Sequence, residues 1–147
     1  MITIINRQRK IKVNLDDVKK NLSKMLEFVE YKDFDVNVLF TTDATIKKYN
    51  KKFRQQDKST DILSFPFHSD LKPGKAIKIN SPDDKNLGDI IISLEYVQQV
   101  AKEIGVPFKA HLKTLLAHGV AHLLNYDHKT DAQFKAMQKI EQQLLSN

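Results

Sequence analysis

A chain of 147 residues and 17.0 kDa is long enough to bury about two thirds of its unfolded surface, so a single self-sufficient domain over 1–147 is expected. It contains no cysteine, which excludes disulfides, thiol nucleophiles and thiolate metal ligands and leaves histidine, carboxylate and hydroxyl chemistry. The formal charge of +6 is uneven, with fourteen Lys or Arg against eight Asp or Glu in residues 1–60 and ten of each in 61–147. A basic half suits a polyanionic partner, although a solvated lysine-rich surface gives the same count. Met1-Ile-Thr-Ile-Ile-Asn6 lacks the order of a signal peptide, and no apolar run approaches the ~20 residues of a membrane span. A cytoplasmic, soluble protein without a membrane partner is therefore expected.

Ile2 to Asn6 reads as a short strand, and Asn14-Leu-Asp-Asp opens a helix with an apolar stripe of Val18, Leu22, Met25, Leu26 and Val29. Asp35 to Phe40 alternates with period two and gives the next strand. The Thr41-Thr-Asp turn caps a second helix from about Ala44 to Phe53. Ile62 to Phe67 is a third strand, with Pro66 marking an edge or an end. Residues 68 to 86 are polar and turn-rich, the pattern of a long loop or extended hairpin arm, and His68 within them is read as a surface residue.

Gly88 to Ser93 is the strongest strand, followed by an amphipathic helix from Leu94 that Gly105-Val-Pro107 terminates. A histidine-bearing helix starts near Pro107. Thr130-Asp-Ala-Gln133 then forms a capping box for a last helix, with Phe134, Met137, Ile140, Leu144 and Leu145 expected to face inward. The sum is a mixed α/β (α+β) domain with one small sheet of about four strands and about five helices.

Three of the five histidines fall within His118-Gly-Val-Ala-His122-Leu-Leu-Asn-Tyr-Asp-His128. At about 100° per residue, His118 and His122 share one helix face, while Leu112, Leu116, Val120 and Leu123 gather opposite. Two imidazoles one turn apart reach one Zn²⁺, and a catalytic site needs a third protein ligand plus an open position. His128 fits the third role, because Asn125 can adopt the left-handed conformation that turns the chain back over its own helix. The alternative is a set of packed, hydrogen-bonded histidines. His111 lies seven residues before His118 on the same face and reads either as a partner of the site, to substrate or to a ligand ring, or as an ordinary half-buried helix residue.

The same spacing occurs in zinc peptidases of the metzincin type, in which a glutamate follows the first histidine as general base. Here that position is Gly119, so activation of water falls to the cation or to a base from elsewhere. Glu95 and Asp61 are the candidates for such a base in a peptidase, and Asp61 and Asp89 occupy strand positions from which a carboxylate could reach a cleft.

The eleven-residue histidine segment resembles the signature of the YbeY family of bacterial single-strand-specific endoribonucleases, whose usual form is H-G-x-L-H-L-x-G-Y-D-H. Ala121 stands for its leucine and Asn125 for its glycine. Upstream, Asn50-Lys-Lys-Phe-Arg54 with Asp57, and Ser59-Thr-Asp-Ile-Leu-Ser-Phe-Pro66, are similar to the family's N-x-x-Y-R, D and T-D-V-L-S-F-P run. Leu87-Gly-Asp-Ile90 with Ile92-Ser93 and Glu95 looks like its strand and helix start. The resemblance implies a zinc-dependent endoribonuclease of 3′-end maturation of small-subunit (16S) rRNA and late ribosome quality control. It also implies one Zn²⁺ per chain on His118, His122 and His128, with Arg54 serving RNA binding and catalysis and Phe53 replacing a tyrosine. Single-stranded rRNA and the ribosome would be the partners, and DNA is not expected.

The residues agree with a polyanionic substrate. Residues 43 to 58 hold six basic and two acidic side chains, and Lys47, Lys51, Lys52 and His111 are candidate RNA contacts, with Tyr49 or Phe53 for base stacking. The lysines equally form the wet face of an amphipathic helix. Arg54 differs, since a planar guanidinium grips a phosphate through two donors and balances developing charge. Asp127 either orients a ligand imidazole or caps its turn. Two rivals remain: a zinc metallopeptidase-like hydrolase, and a non-catalytic ribosome-binding protein with a closed, structural zinc site.

Overall fold

The computed structural model describes residues 1–146. In chain order the elements are β1 (Ile2–Asn6), α1 (Leu15–Phe28), β2 (Asp35–Thr41), α2 (Asp43–Arg54), β3 (Ile62–Pro66), β4 (Asn86–Ser93), α3 (Leu94–Ile104), α4 (Phe108–Leu123) and α5 (Asp131–Leu145). A single 3-10 turn, Pro82–Asp84, lies between β3 and β4. The four strands form one sheet in the order β1-β2-β4-β3. β1, β2 and β4 run parallel, and β3 pairs antiparallel with β4. This is the mixed α+β architecture expected from the sequence.

Period-two alternation sorts the side chains onto two faces. Val36, Val38 and Phe40 of β2 and Ile90 and Ile92 of β4 are buried with Leu22, Met25 and Leu26 of α1 and with the inner side of α4. On the other face, Leu63 and Ile91 pack beneath Ile46 of α2, with Leu39, Tyr49 and Phe65 at the margin. Pro66 sits at the end of an edge strand, where its missing N–H costs no ladder bond.

Two glycines let segments approach closely. Gly88 has φ +125, and a Cβ there would lie 2.1 Å from the Phe65 carbonyl oxygen. Gly119 brings α4 down onto the sheet, where a Cβ would lie 2.9 Å from Ile90 Cδ1 and 3.1 Å from Ile62 Cδ1. The position at which a metzincin carries its glutamate thus faces the core, with no room for one.

Helix starts follow the capping residues. The Asn14 side chain accepts from Asp17 N at 3.1 Å, and the Thr130 hydroxyl accepts from Gln133 N at 3.1 Å. The boundaries shift slightly: α2 gains Asp43 and Arg54, and β4 starts at Asn86 rather than Gly88. Phe134 was expected inside but is 54% exposed. Residues 128–136 all lie at the surface, and α5 meets the core only from Met137 onward. His68 is not a bare surface residue either: its Nε2 donates to the Asp84 carbonyl at 2.7 Å and closes the base of the β3–β4 arm.

Candidate metal centre and its cleft

The histidine-bearing helix is the most enclosed of the five. Leu116, Ala117, Val120 and Ala121 are fully buried, which fixes the outward direction of His118 and His122, one turn apart. At the helix end Asn125 takes φ +64. Asn125 N then donates to His122 O at 2.9 Å and Tyr126 N to Ala121 O at 3.1 Å, folding the chain back over the last turn as expected. The Asp127 carboxylate accepts from His128 N at 2.8 Å, which sets the turn that presents the third ring.

One nitrogen from each of His118, His122 and His128 lies within 4.8 Å of the other two. The His118 and His122 Nε2 atoms are 3.0 Å apart. His122 Nδ1 lies 2.9 Å from the Tyr126 carbonyl and His118 Nδ1 3.1 Å from Glu141 Oε1. A carbonyl and a carboxylate only accept, so both Nδ1 atoms carry the proton and both Nε2 atoms carry a lone pair in the neutral rings. Two lone pairs at 3.0 Å make no hydrogen bond. A proton or a cation must sit between them. Burial, followed by the neighbouring His118, holds His122 below the usual imidazole range, which favours its neutral, lone-pair-bearing form. Tetrahedral Zn²⁺ with bonds of about 2.05 Å separates its nitrogens by roughly 3.3 Å, close to the observed spacing. The donor set therefore fits a divalent metal. Among the described residues no fourth His, Cys, Asp or Glu joins the group, which leaves coordination positions for solvent or substrate.

The centre opens into a cleft of about 730 Å³ shared with Arg54, Asn50, Lys58, Asp61 and Asp127. Arg54 is the last residue of α2, and Gln55 follows at φ +58. Buried Asn50 shapes this corner, donating from its side chain to Lys58 O at 2.9 Å and accepting Gln56 N on its carbonyl at 3.2 Å. Across the corner Arg54 donates to Ser64 O at 2.7 Å and lies 5.4 Å from the Phe65 ring centre. The guanidinium is thus held by a strand that borders the metal centre.

Other candidates lie elsewhere. Lys47, Lys51 and Lys52 are exposed on α2 and do not line the cleft. Lys52 lies over Phe53 at 5.3 Å, and Phe53 stacks on Tyr49 at 6.1 Å while meeting Phe65 edge-on at 5.4 Å. His111 also stays out of the cleft, two helical turns or about 10.5 Å from His118, and its Nε2 is buried without a hydrogen-bond partner. Asp89 is turned to the opposite sheet face and accepts from Asn37. Glu95 accepts from Asp43 N and pairs with Lys10, so neither supplies a base. Asp61 does border the cleft, although Ile62 N already bonds its Oδ1 at 2.7 Å.

The carboxylate that meets a ring of the histidine triad is Glu141, not Asp127. The sequence carries a faint signal for it, since Glu141 interrupts an otherwise apolar stripe of Met137, Ile140 and Leu144.

A mixed α+β fold with three converging imidazoles and an arginine in one open cleft presents a candidate metal centre. The family described as Endoribonuclease YbeY matches residues 3–147, and the chain belongs to that family. It is 37% identical over 131 residues to Endoribonuclease YbeY of Persephonella marina, covering 88% of this chain and 80% of that one. It is 36% identical to the protein of the same name from Clostridium botulinum strain Langeland, covering 100% and 97%. A solution structure from Thermotoga maritima superposes with a TM-score of 0.62 at 27% identity, over 99% of this chain and 90% of that one.

Proposed function

We propose that this chain is a metal-dependent endoribonuclease that cuts single-stranded RNA, acting in the cytoplasm on the 3′ end of small-subunit rRNA and in late ribosome quality control. The observation that carries the reading is the convergence of three histidine nitrogens in the same cleft as Arg54. The names of the relatives support RNA as the substrate. Imidazole donors without thiolate suit Zn²⁺, one per chain. A bound divalent ion would supply Lewis acidity toward a phosphate oxygen or a water.

The protein's own groups supply the rest. Glu141 and the Tyr126 carbonyl hold two rings with their Nε2 atoms facing inward. Arg54, fixed by Ser64 and Phe65, offers a planar cation to a phosphate and to the charge that develops on it. Lys58 adds a second positive charge to the cleft, and the Tyr49–Phe53–Phe65 cluster provides faces for unpaired bases. A peptidase is disfavoured, because Gly119 lies against the sheet and Glu95 is engaged elsewhere.

The test is metal analysis of purified protein together with cleavage of single-stranded ribosomal RNA, for wild type, His118→Ala, His122→Ala and Arg54→Glu. Both histidine variants should lose metal and cutting, whereas Arg54→Glu should keep metal and lose cutting. Undiminished cleavage by metal-free protein would overturn the reading.

A further inference from the structure

The segment between β3 and β4 forms an arm that the proposed reaction leaves unused. It carries Lys72, Lys75 and Lys78, together with Asp70 and Asp84, around a cavity of about 480 Å³. Its base is pinned by Phe67 N donating to Leu87 O at 3.0 Å and by the His68–Asp84 bond. Farther out, Ile77 N donates to the Tyr31 hydroxyl at 3.2 Å, and Leu71 and Ile77 rest against the core. A further attachment comes from the turn between His122 and His128, where Asn125 Nδ2 donates to His68 O at 2.7 Å and to Leu71 O at 2.8 Å.

A carboxamide nitrogen has two N–H groups, and both are used on the arm. Asn125 meanwhile stands at φ +64, where glycine, the residue of the resembled signature, sits at lower cost. Its side chain therefore has a task that the turn alone does not require. Asn125 lines the cleft and directly precedes Tyr126, whose carbonyl orients His122.

We propose that Asn125 is a positioning residue that locks the lysine-bearing arm against the metal-bearing turn, so that the arm extends the cleft and holds the backbone of an RNA strand beyond the scissile phosphate. The choice of RNA rests on the proposed function; the tether does not.

The test compares full-length Asn125→Gly and Asn125→Asp with wild type. Aspartate keeps the shape and removes both donors, while glycine removes the side chain and eases the backbone. Loss of two hydrogen bonds should raise amide hydrogen exchange across residues 69–78 by about tenfold or more in both variants. Metal content should be retained. On a single-stranded RNA oligomer KM should rise several-fold while kcat holds, and a Lys72→Ala, Lys75→Ala, Lys78→Ala triple variant should repeat the KM rise with arm exchange unchanged. Wild-type exchange in Asn125→Gly, with equal or higher thermal stability, would make Asn125 a turn residue only and overturn the tether. Released arms with unaltered KM would overturn the substrate role. A wild-type chain that cuts no RNA would instead overturn the proposed function, and exchange would still decide the tether.

Discussion

Replacing Glu141 tests whether the centre depends on a carboxylate contributed by the last helix. Its Oε1 lies 3.1 Å from His118 Nδ1, and the two side chains are 22% and 28% exposed. That shielding places the contact above a surface ion pair, which contributes about 0–1 kcal/mol, and near the lower part of the about 1.5–3 kcal/mol of hydrogen bonds to charged groups. With about 2 kcal/mol, and about 1.4 kcal/mol per factor of ten, Glu141→Ala should weaken metal binding about 30-fold. Outer partners of metal-bound histidines affect affinity by about 10- to 100-fold, which agrees. Glu141→Gln keeps an acceptor for Nδ1–H and loses the charge, which removes about half the energy and should cost about fivefold. Competition with a chromophoric chelator at fixed pH reads both values, and circular dichroism confirms the fold. An alanine variant that binds metal within about twofold of wild type would refute the argument that the charge-assisted bond tunes the centre.

Gly119→Glu, which restores the peptidase pattern, forces a carboxylate against Ile90 and Ile62 and should cost about 4 kcal/mol or more in denaturant melts. A stable variant would contradict the packing at this position. Gly88→Ala puts a methyl 2.1 Å from the Phe65 oxygen at φ +125; the expected loss is about 3 kcal/mol or more, read by thermal unfolding. Glu95 accepts from Asp43 N at 2.6 Å at the start of α2. That bond, helped by Lys10 and opposed by burial, holds its carboxyl below the usual 4.5. A depressed folded value means stability that is complete above the unfolded pKa and is lost as pH falls through the folded one. Glu95→Gln should thus destabilise by about 1–2 kcal/mol at pH 7, with the difference closing in acid; a gap independent of pH would count against this account.

Local rules carried much of the fold. Asn14 and Thr130 start helices where their side chains reach the third backbone N–H, Asn125 takes the left-handed turn, and alternation in β2 separates Val36 and Val38 from Asn37. The histidine triad was legible for the same reason, since its geometry is one helix turn plus one reversal. What escaped depends on how elements dock. Glu141 reaches His118 only because α5 lies across α4, and Arg54 meets Ser64 only because Asn50 closes the corner after α2. Phe134 keeps to the helical period yet stays exposed, because the period gives direction around an axis and not which neighbour arrives, while His111 takes the half-buried helix setting that was one of its two readings. Asp89 illustrates the limit for strands, as its carboxylate projects away from the cleft to Asn37.

Seating His118 and His122 on α4 ties the candidate metal centre to one of the best-buried elements of the molecule. Leu116, Ala117, Val120 and Ala121 are held by apolar packing that needs no ion. Unlike a zinc finger, which collapses when stripped, this scaffold is expected to keep its fold without an ion, and a chelator-treated sample should still melt as one cooperative unit. Under the proposed metal dependence, metal supply would govern how many molecules are armed, while the number of folded copies stays the same.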